Sequence, residues 1–204
     1  RQLIQLLLTL QLHLIPARSR QVLLQDLSVL LSTTSSSELK SSLAQQLAVK
    51  LAGNAPKYYW AAMEPADGED EQRILRHVED RRGMGFETIE RGRSLWLEKR
   101  ELSDSAVLFD SVTALLANEM FYQGRFDCDA PQRCASELLQ LSRRAGHIIC
   151  VCDDIFRDGG EYEVLTEEFR RGLALVCRSL AAEFDTVCEV AAGLPKVIKG
   201  KMPY

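Results

Sequence analysis

The sequence lacks an excess of basic charge. Its 204 residues contain 25 Lys and Arg against 29 Asp and Glu, which gives a formal net charge of −4. Nucleic acids and anionic membranes are bound by basic surfaces, so this balance argues against both as broad partners, while a local basic pocket for a phosphate stays allowed. We therefore expect no nucleic-acid partner.

Long apolar runs are missing as well. The most apolar stretch, residues 3–15, is too short to span a bilayer, and no small-residue cleavage site of a signal peptide follows it. We predict no membrane span and a cytoplasmic protein. Residues 1–28 form an amino-terminal segment to which we assign no role, and residues 29–204 are expected to form one domain.

The cysteines lack metal-binding spacing. None of the six belongs to a C-x-x-C pair, and no histidine stands at a ligand-like spacing from them, which argues against a zinc site. Cys150 and Cys152 fall inside one apolar run and point to the same face of a predicted strand. We interpret them as buried reduced thiols, which suits a cytosolic protein.

The chain does contain an alternation of strands and helices. Strands are predicted at 29–31, 57–63, 87–90, 105–110, 147–153, 186–190 and 195–199, and helices at 40–52, 67–82, 112–122, 130–145 and 166–183. Strands separated by helices of this length indicate right-handed crossovers and a mainly parallel sheet with helices on both faces. Because ligands bind beyond the carboxyl ends of such strands, functional residues are expected just after Leu31, Met63, Asp110 and Asp153.

A loop rich in Ser and Thr follows the first predicted strand, as in a phosphate-binding loop. Lys40 and Ser41 stand where that motif has the Lys and Ser/Thr that contact phosphates and magnesium. Thr34 and Leu39 stand where it has glycine. A non-glycine residue forced to positive φ costs about 1–2 kcal/mol, so Leu39 argues against an intact loop. A Ser-rich turn that caps a helix explains the stretch equally well.

His77 lies on a predicted helix among arginines. Arg73 and Arg81, four residues before and after it, share its helical face. Nearby cations disfavour the protonated imidazole, and a neutral imidazole can attack phosphorus while guanidinium groups hold the phosphates. A solvent-facing histidine on a charged helix is the alternative interpretation.

Two predicted strands end in carboxylates. Asp110 stands where phosphate-loop proteins place the carboxylate that orients magnesium. Asp153 and Asp154 close the next strand, with the same argument in weaker form. A carboxylate at a strand end is also a common helix cap, here together with Ser111, so both interpretations stay open.

Taken together, the order of these segments resembles the bifunctional adenosylcobinamide kinase/adenosylcobinamide-phosphate guanylyltransferase family of cobalamin synthesis. The stretches that carry the resemblance are KYYWAAMEP (57–65), RILRHVEDRRGMGFETIE (73–90), VLFDSVTALLANEMF (107–121) and the carboxyl-terminal AAGLPKVIKG (191–200). The resemblance implies an α/β fold: a P-loop NTPase-like three-layer sandwich with a mainly parallel sheet and helices on both faces. Residues 29–204 would be its nucleotide-binding domain.

The resemblance also implies site residues. His77 would take up GMP from GTP, and Asp110 would be the catalytic carboxylate on the metal side, with Ser41 as the second magnesium ligand. Nucleotide-binding residues would be Thr34, Lys40, Ser41, Ala61, Ala62, Met63, Val78, Arg81 and Glu90. The implied cofactors are GTP, ATP and Mg²⁺, the implied substrate is adenosylcobinamide or its phosphate, and the implied assembly is a homo-oligomer, a trimer in the family.

Several positions depart from the family pattern. Both loop glycines are replaced, Val78 stands in place of a basic neighbour of the histidine, and Arg82 stands in place of a proline. These departures cluster around the nucleotide. Two hypotheses follow: an active kinase/guanylyltransferase that uses GTP or ATP with magnesium, or a relative with a degraded site that serves as a nucleotide-binding or structural subunit.

Overall fold

The computed structural model describes residues 28–33, 37–64, 75, 78–79, 81–156, 160–191 and 194–202, with the side chains of residues 33 and 37–41 left out of the description. Seven strands form one sheet: β1 (Ser28–Thr33), β2 (Lys57–Ala61), β3 (Phe86–Glu90), β4 (Ala106–Asp110), β5 (His147–Asp153), β6 (Thr186–Ala191) and β7 (Leu194–Lys199). The α-helices are α1 (Ser37–Ala52), α2 (Val112–Met120), α3 (Ala130–Arg144) and α4 (Val164–Glu183).

The sheet has the strand order β3-β2-β4-β5-β1-β6-β7. Every neighbouring pair is parallel except β6 and β7, which are antiparallel. The strands predicted at 105–110, 147–153 and 29–31 are neighbours in that order, as β4, β5 and β1. The five central residues of β5 are all buried, because a parallel strand covered on both faces needs apolar side chains at successive positions.

Helices cover both faces of the sheet. Alternate strand residues, among them Leu30, Trp60 and Phe109, pack with α2, α3 and α4 on one face. Their neighbours, such as Leu31 and Leu108, pack with α1 on the other face. This arrangement confirms the predicted α/β fold with a mainly parallel sheet between two helical layers.

One expectation about the loop after β1 is wrong. Helix α1 begins at Ser37, so Leu39 lies in its first turn, with the right-handed backbone of a helix. Leucine is a favourable helix residue, and no glycine-like positive φ is demanded of it there. The departure from the glycine pattern at Leu39 therefore carries no backbone penalty of the kind predicted from the motif.

Other element boundaries differ by a few residues. The strand predicted at 57–63 ends at Ala61, and the helix predicted at 112–122 ends at Met120. Of the helix predicted at 67–82, Leu75, Val78 and Glu79 are helical, and most of the remainder lies outside the described residues. Two short 3-10 helices, Leu95–Leu97 and Tyr122–Gly124, were not predicted.

All six cysteines are free thiols. Cys150 and Cys152 are buried and belong to the same side of the sheet, as predicted, and the Cys152 sulfur lies 3.4 Å from that of Cys177. Burial raises the pKa of Cys188 to about 11, so that thiol stays protonated at neutral pH. Cys128 is exposed.

Across the part of the chain that the structure describes, no helix is both long and apolar enough to cross a membrane.

Candidate functional site

Three neighbouring strands end level with one another at one edge of the sheet. Ala61, the last residue of β2, pairs with Asp110 of β4 on one side and with Glu90 of β3 on the other. Farther along this edge, Thr33 at the end of β1 pairs with Asp153 at the end of β5. The parallel register therefore brings together the strand ends at which the sequence placed functional residues.

A cleft of about 740 Å³ opens at the ends of β2 and β3. Three of the predicted nucleotide-binding residues, Ala61, Met63 and Glu90, line it together. Its other lining residues are Glu64, Leu75, Arg91, Gly92, Arg93, Ser94 and Leu97. Its volume is suited to a ligand of nucleotide size.

Asp110 is held by a buried tyrosine. The Tyr59 hydroxyl donates a hydrogen bond of 2.7 Å to Oδ2 of Asp110. Burial raises the pKa of Tyr59 well above its usual range, and the nearby carboxylate of Asp110 raises it further. Tyr59 therefore remains protonated and acts as a fixed donor to the Asp110 carboxylate.

Arg81 completes this arrangement. Its guanidinium carbon lies 3.3 Å from the centroid of the Tyr59 ring, a close cation–π contact, and the residue is 7% exposed. Leu75 lines the cleft, so the stretch 75–81 begins at the cleft and ends against Tyr59. In the sequence His77 stands between these two contacts, and its own position lies outside the described residues.

The loops that follow β2 and β3 are tied together by Asn118 of α2. Its Nδ2 donates to the carbonyl oxygens of Ala62, at 2.7 Å, and of Gly92, at 3.1 Å. The Ala62 N–H in turn donates to the Asp110 carbonyl at 2.9 Å. A side chain at Gly92 would have its Cβ 2.6 Å from the Ala62 oxygen, so only glycine allows this approach.

Two arginines line the cleft together with two glutamates, Glu64 and Glu90. Arg91 is fixed by its backbone, because its N–H donates to the Ala61 carbonyl at 3.1 Å and its own carbonyl accepts from Trp60 Nε1 at 2.9 Å. Its buried Nε finds no hydrogen-bond acceptor among the described residues. Arg93 binds Glu64 at 3.2 Å and stacks over Tyr122. A buried guanidinium donor without an acceptor suits an anionic ligand in this cleft.

The remaining predicted residues are placed as follows. Ala62 is buried behind the cleft, and Val78 is exposed and does not line it. Lys40 and Ser41 belong to α1, with side chains that are not described, and Thr34, like His77, lies outside the described residues.

Asp153 and Asp154 lie at the end of β5 and the start of the loop that follows it. The Asp153 N–H donates to Thr113 Oγ1 at 2.9 Å, which joins the end of β5 to the first turn of α2. Asp154 Oδ1 accepts from the Phe156 N–H at 3.1 Å. Ser111 caps α2 as expected, since its Oγ accepts from the Ala114 N–H at 3.2 Å.

Sequence reasoning missed four residues of this site: Tyr59, Arg91, Arg93 and Asn118. Asn118 could have been found from the sequence, because it belongs to the stretch 107–121 on which the family resemblance rests. It stands eight residues after Asp110. The indication for Tyr59 was weaker: it belongs to the tyrosine-containing strand KYYWA, which also carries the resemblance. The two arginines follow β3 directly, and no motif marked them.

The comparison with protein families decides the relationship. The family model described as cobinamide kinase / cobinamide phosphate guanyltransferase matches residues 13–198, nearly the whole chain. The chain belongs to this family. The resemblance stated from the sequence is thereby confirmed, and with it a place among the transferases of cobalamin biosynthesis that act on nucleotides.

Other comparisons are more distant. No curated protein matches the chain. The flagellar accessory protein FlaH from Methanocaldococcus jannaschii has a similar solved structure, with 15% identity, a TM-score of 0.45, and coverage of 87% of this chain and 80% of FlaH. A solved ATPase domain has 10% identity, a TM-score of 0.46, and coverage of 80% and 68%. At these values the two likenesses do not bear on the function of this family member.

Proposed function

We propose that the chain transfers the terminal phosphoryl group of ATP or GTP to the side-chain hydroxyl of adenosylcobinamide, releasing the nucleoside diphosphate. It then transfers GMP from GTP to that phosphate through His77. Residues 29–204 form the nucleotide-binding domain. The observation that carries the proposal is the cleft that unites Ala61, Met63 and Glu90 beside the Asp110–Tyr59–Arg81 group. Family membership supplies the substrate class, and the cleft supplies a place for the nucleotide.

Each side of this cleft matches one part of a guanine nucleotide. Guanine offers two adjacent N–H donors on one edge, which one carboxylate can accept together. Two exposed carboxylates line the cleft, and Glu64 is paired with Arg93, so Glu90 is the candidate acceptor. Adenine does not present this pair of donors. Arg91 and Arg93 supply guanidinium donors for the phosphates.

Asp110 and Ser41 are the residues that would hold magnesium. Magnesium is bound by one or two carboxylates together with substrate phosphates and water, so a cage made of protein groups alone is not needed. An ionised aspartate oriented by the Tyr59 hydroxyl fits this donor set. When bound, the ion would neutralise charge on the phosphates.

The covalent step requires a neutral imidazole. A nitrogen lone pair of His77 would attack the α-phosphorus of GTP, the bond to the bridging oxygen would break, and pyrophosphate would leave. A phosphate oxygen of adenosylcobinamide phosphate would then displace the histidine and take the GMP. Arg81, fixed against Tyr59, adds positive charge that disfavours imidazole protonation. Two displacements replace one more difficult step.

Covalent labelling tests this proposal. Incubation with GTP and magnesium is expected to add GMP to the protein through a phosphoramidate, which is stable in base and labile in acid. His77→Asn should abolish the adduct. His147→Asn is the matched control, because His147 starts β5 at the opposite edge of the sheet, and it should keep the adduct. An adduct that persists in His77→Asn would assign the nucleophile elsewhere.

A relative with a degraded site is the second candidate. Thr34 at a glycine position of the loop and Val78 in place of a basic neighbour of His77 favour it. It predicts that GTP binds without forming any adduct in the parent protein, even at saturating GTP, so the same labelling experiment separates the two candidates. In either case we expect a homo-oligomer, which light scattering would show.

A further inference from the structure

A second cleft, of about 640 Å³, lies beside the amino ends of β4 and β5. The segments that build it precede these strands, and the Gly146 N–H donates to the Leu102 carbonyl at 2.9 Å to join them. Neither the family resemblance nor the proposed function uses this cleft. Its lining residues include Trp96, Lys99, Arg100, Arg143 and Arg144.

The cleft is basic in a chain whose net charge is −4. Arg100 already forms two ion pairs, because its guanidinium lies 3.3 Å from the Glu87 carboxylate and 3.5 Å from that of Glu98. Arg144 donates to the Arg100 carbonyl at 3.0 Å. Lys99 and Arg143 are exposed, and Arg143 forms no ion pair with any described residue.

Two carboxylates also line the cleft, and both accept hydrogen bonds from backbone N–H groups. Glu101 accepts hydrogen bonds from the backbone N–H groups of Leu102 and Ser103, at 3.1 and 3.2 Å. Glu137 is partly buried and accepts from the Leu95 N–H at 2.6 Å. These carboxylates offset part of the positive charge, but the lining holds four cations against two carboxylates and so keeps a basic excess.

Trp96 offers a flat apolar face at the rim. It is 56% exposed, although the two residues before it are anchored: Leu95 is buried, and the Ser94 N–H donates to Glu119 Oε1 at 2.8 Å. Ser94 adopts a left-handed conformation with φ 50°, which fixes the turn that presents the indole. The Lys99 ammonium lies 5.8 Å from the centre of the indole ring.

We propose that this cleft is a second ligand site, for a nucleoside triphosphate whose base stacks on Trp96 and whose phosphates contact Lys99, Arg143 and Arg144. An exposed aromatic ring beside several cations provides stacking for a base and charge-assisted hydrogen bonds for phosphates at the same time. The proposal goes beyond the first cleft and does not depend on it.

Stabilisation of helix α3 is the competing explanation for two of these cations. Arg143 and Arg144 lie in its last turn, where positive charge interacts favourably with the helix dipole. That role involves neither Lys99 nor an exposed Trp96. A measurement that reads out Trp96 therefore separates the two explanations.

Tryptophan fluorescence provides this measurement, because the chain has only two tryptophans, exposed Trp96 and fully buried Trp60. Titration of the full-length chain with ATP is expected to change the emission of the parent, and Trp96→Phe should lose that change. The double variant Lys99→Ala/Arg143→Ala should weaken the apparent affinity about tenfold or more. The pair Arg178→Ala/Lys196→Ala, also exposed cations, is the matched control and should bind as the parent does.

Any of four results would overturn the proposal. One is parent emission that ATP leaves unchanged. Another is a change that persists in Trp96→Phe, which would report the first cleft through Trp60. The third is equal ATP affinity in the two double variants. Inorganic tripolyphosphate, which has no base, tests whether the base contributes to binding, and it should bind more weakly than ATP. Equal binding would show that phosphates alone are recognised, contrary to the proposal.

Discussion

The hydroxyl of Tyr59 donates a hydrogen bond of 2.7 Å to Asp110 Oδ2, which joins β2 to β4 just below the edge where both strands end. The donor side chain is 5% exposed, so little water competes for this contact. The Arg81 guanidinium lies over the face of the Tyr59 ring. A carboxylate proposed to hold magnesium is thus oriented by a buried tyrosine.

Tyr59→Phe tests this relationship. The ring face that contacts Arg81 stays, and the hydroxyl is lost, which donates to Asp110 and also forms a hydrogen bond with Arg81. Because a hydrogen bond to a charged group contributes about 1.5–3 kcal/mol, we expect a loss of unfolding free energy of that order, measured by urea denaturation. Tyr58→Phe, at the neighbouring position of β2, is the control. Equal stability of the two variants would contradict the structural role of the hydroxyl.

Asn118→Ala is expected to loosen the first cleft. The change removes the donor to the carbonyls of Ala62 and Gly92, which lie on the two loops that bound the cleft. We expect a stability loss of about 1–3 kcal/mol and weaker GTP binding. Asn54→Ala, at an exposed turn, should change neither quantity beyond about 0.5 kcal/mol. Unaltered GTP affinity in Asn118→Ala would show that the hydrogen bonds of Asn118 to the two loops do not determine the shape of the cleft.

Leu39→Gly should not strengthen nucleotide binding. The sequence motif suggested that glycine would relieve the backbone there, but Leu39 lies within α1. Glycine inside a helix costs about 1 kcal/mol relative to alanine, so thermal unfolding should show a lower Tm, with GTP affinity no higher than in the parent. Tighter binding in this variant would restore the original interpretation of the loop.

The fold followed from the sequence where local pattern and tertiary environment agree. The apolar run HIICVCD predicted a strand at 147–153, and β5 has these bounds, because its neighbours on both sides are parallel strands and both of its faces are covered. The site was only partly predictable. Asp110 and Glu90 end their strands, which a sequence shows, whereas the contact of Tyr59 with Asp110 depends on the register between two strands.

The turn Leu95–Leu97 shows why some features stay hidden. Its conformation is held by Glu119 and Glu137, carboxylates from two helices that come later in the chain. Nothing local in the turn's own sequence predicts partners so far away. The exposure of Trp96, and with it the second cleft, could therefore be recognised only from the structure.

Calorimetric titration with GTP and with ATP, both with magnesium, tests the central claim that the first cleft recognises a guanine nucleotide. We predict that the parent binds GTP more tightly than ATP and that Glu90→Gln loses most of this preference, because the amide cannot accept both guanine donors. Glu183→Gln, at an exposed position that lines neither cleft, should keep the preference. A parent that binds no GTP, or a preference for GTP that survives in Glu90→Gln, would contradict the account.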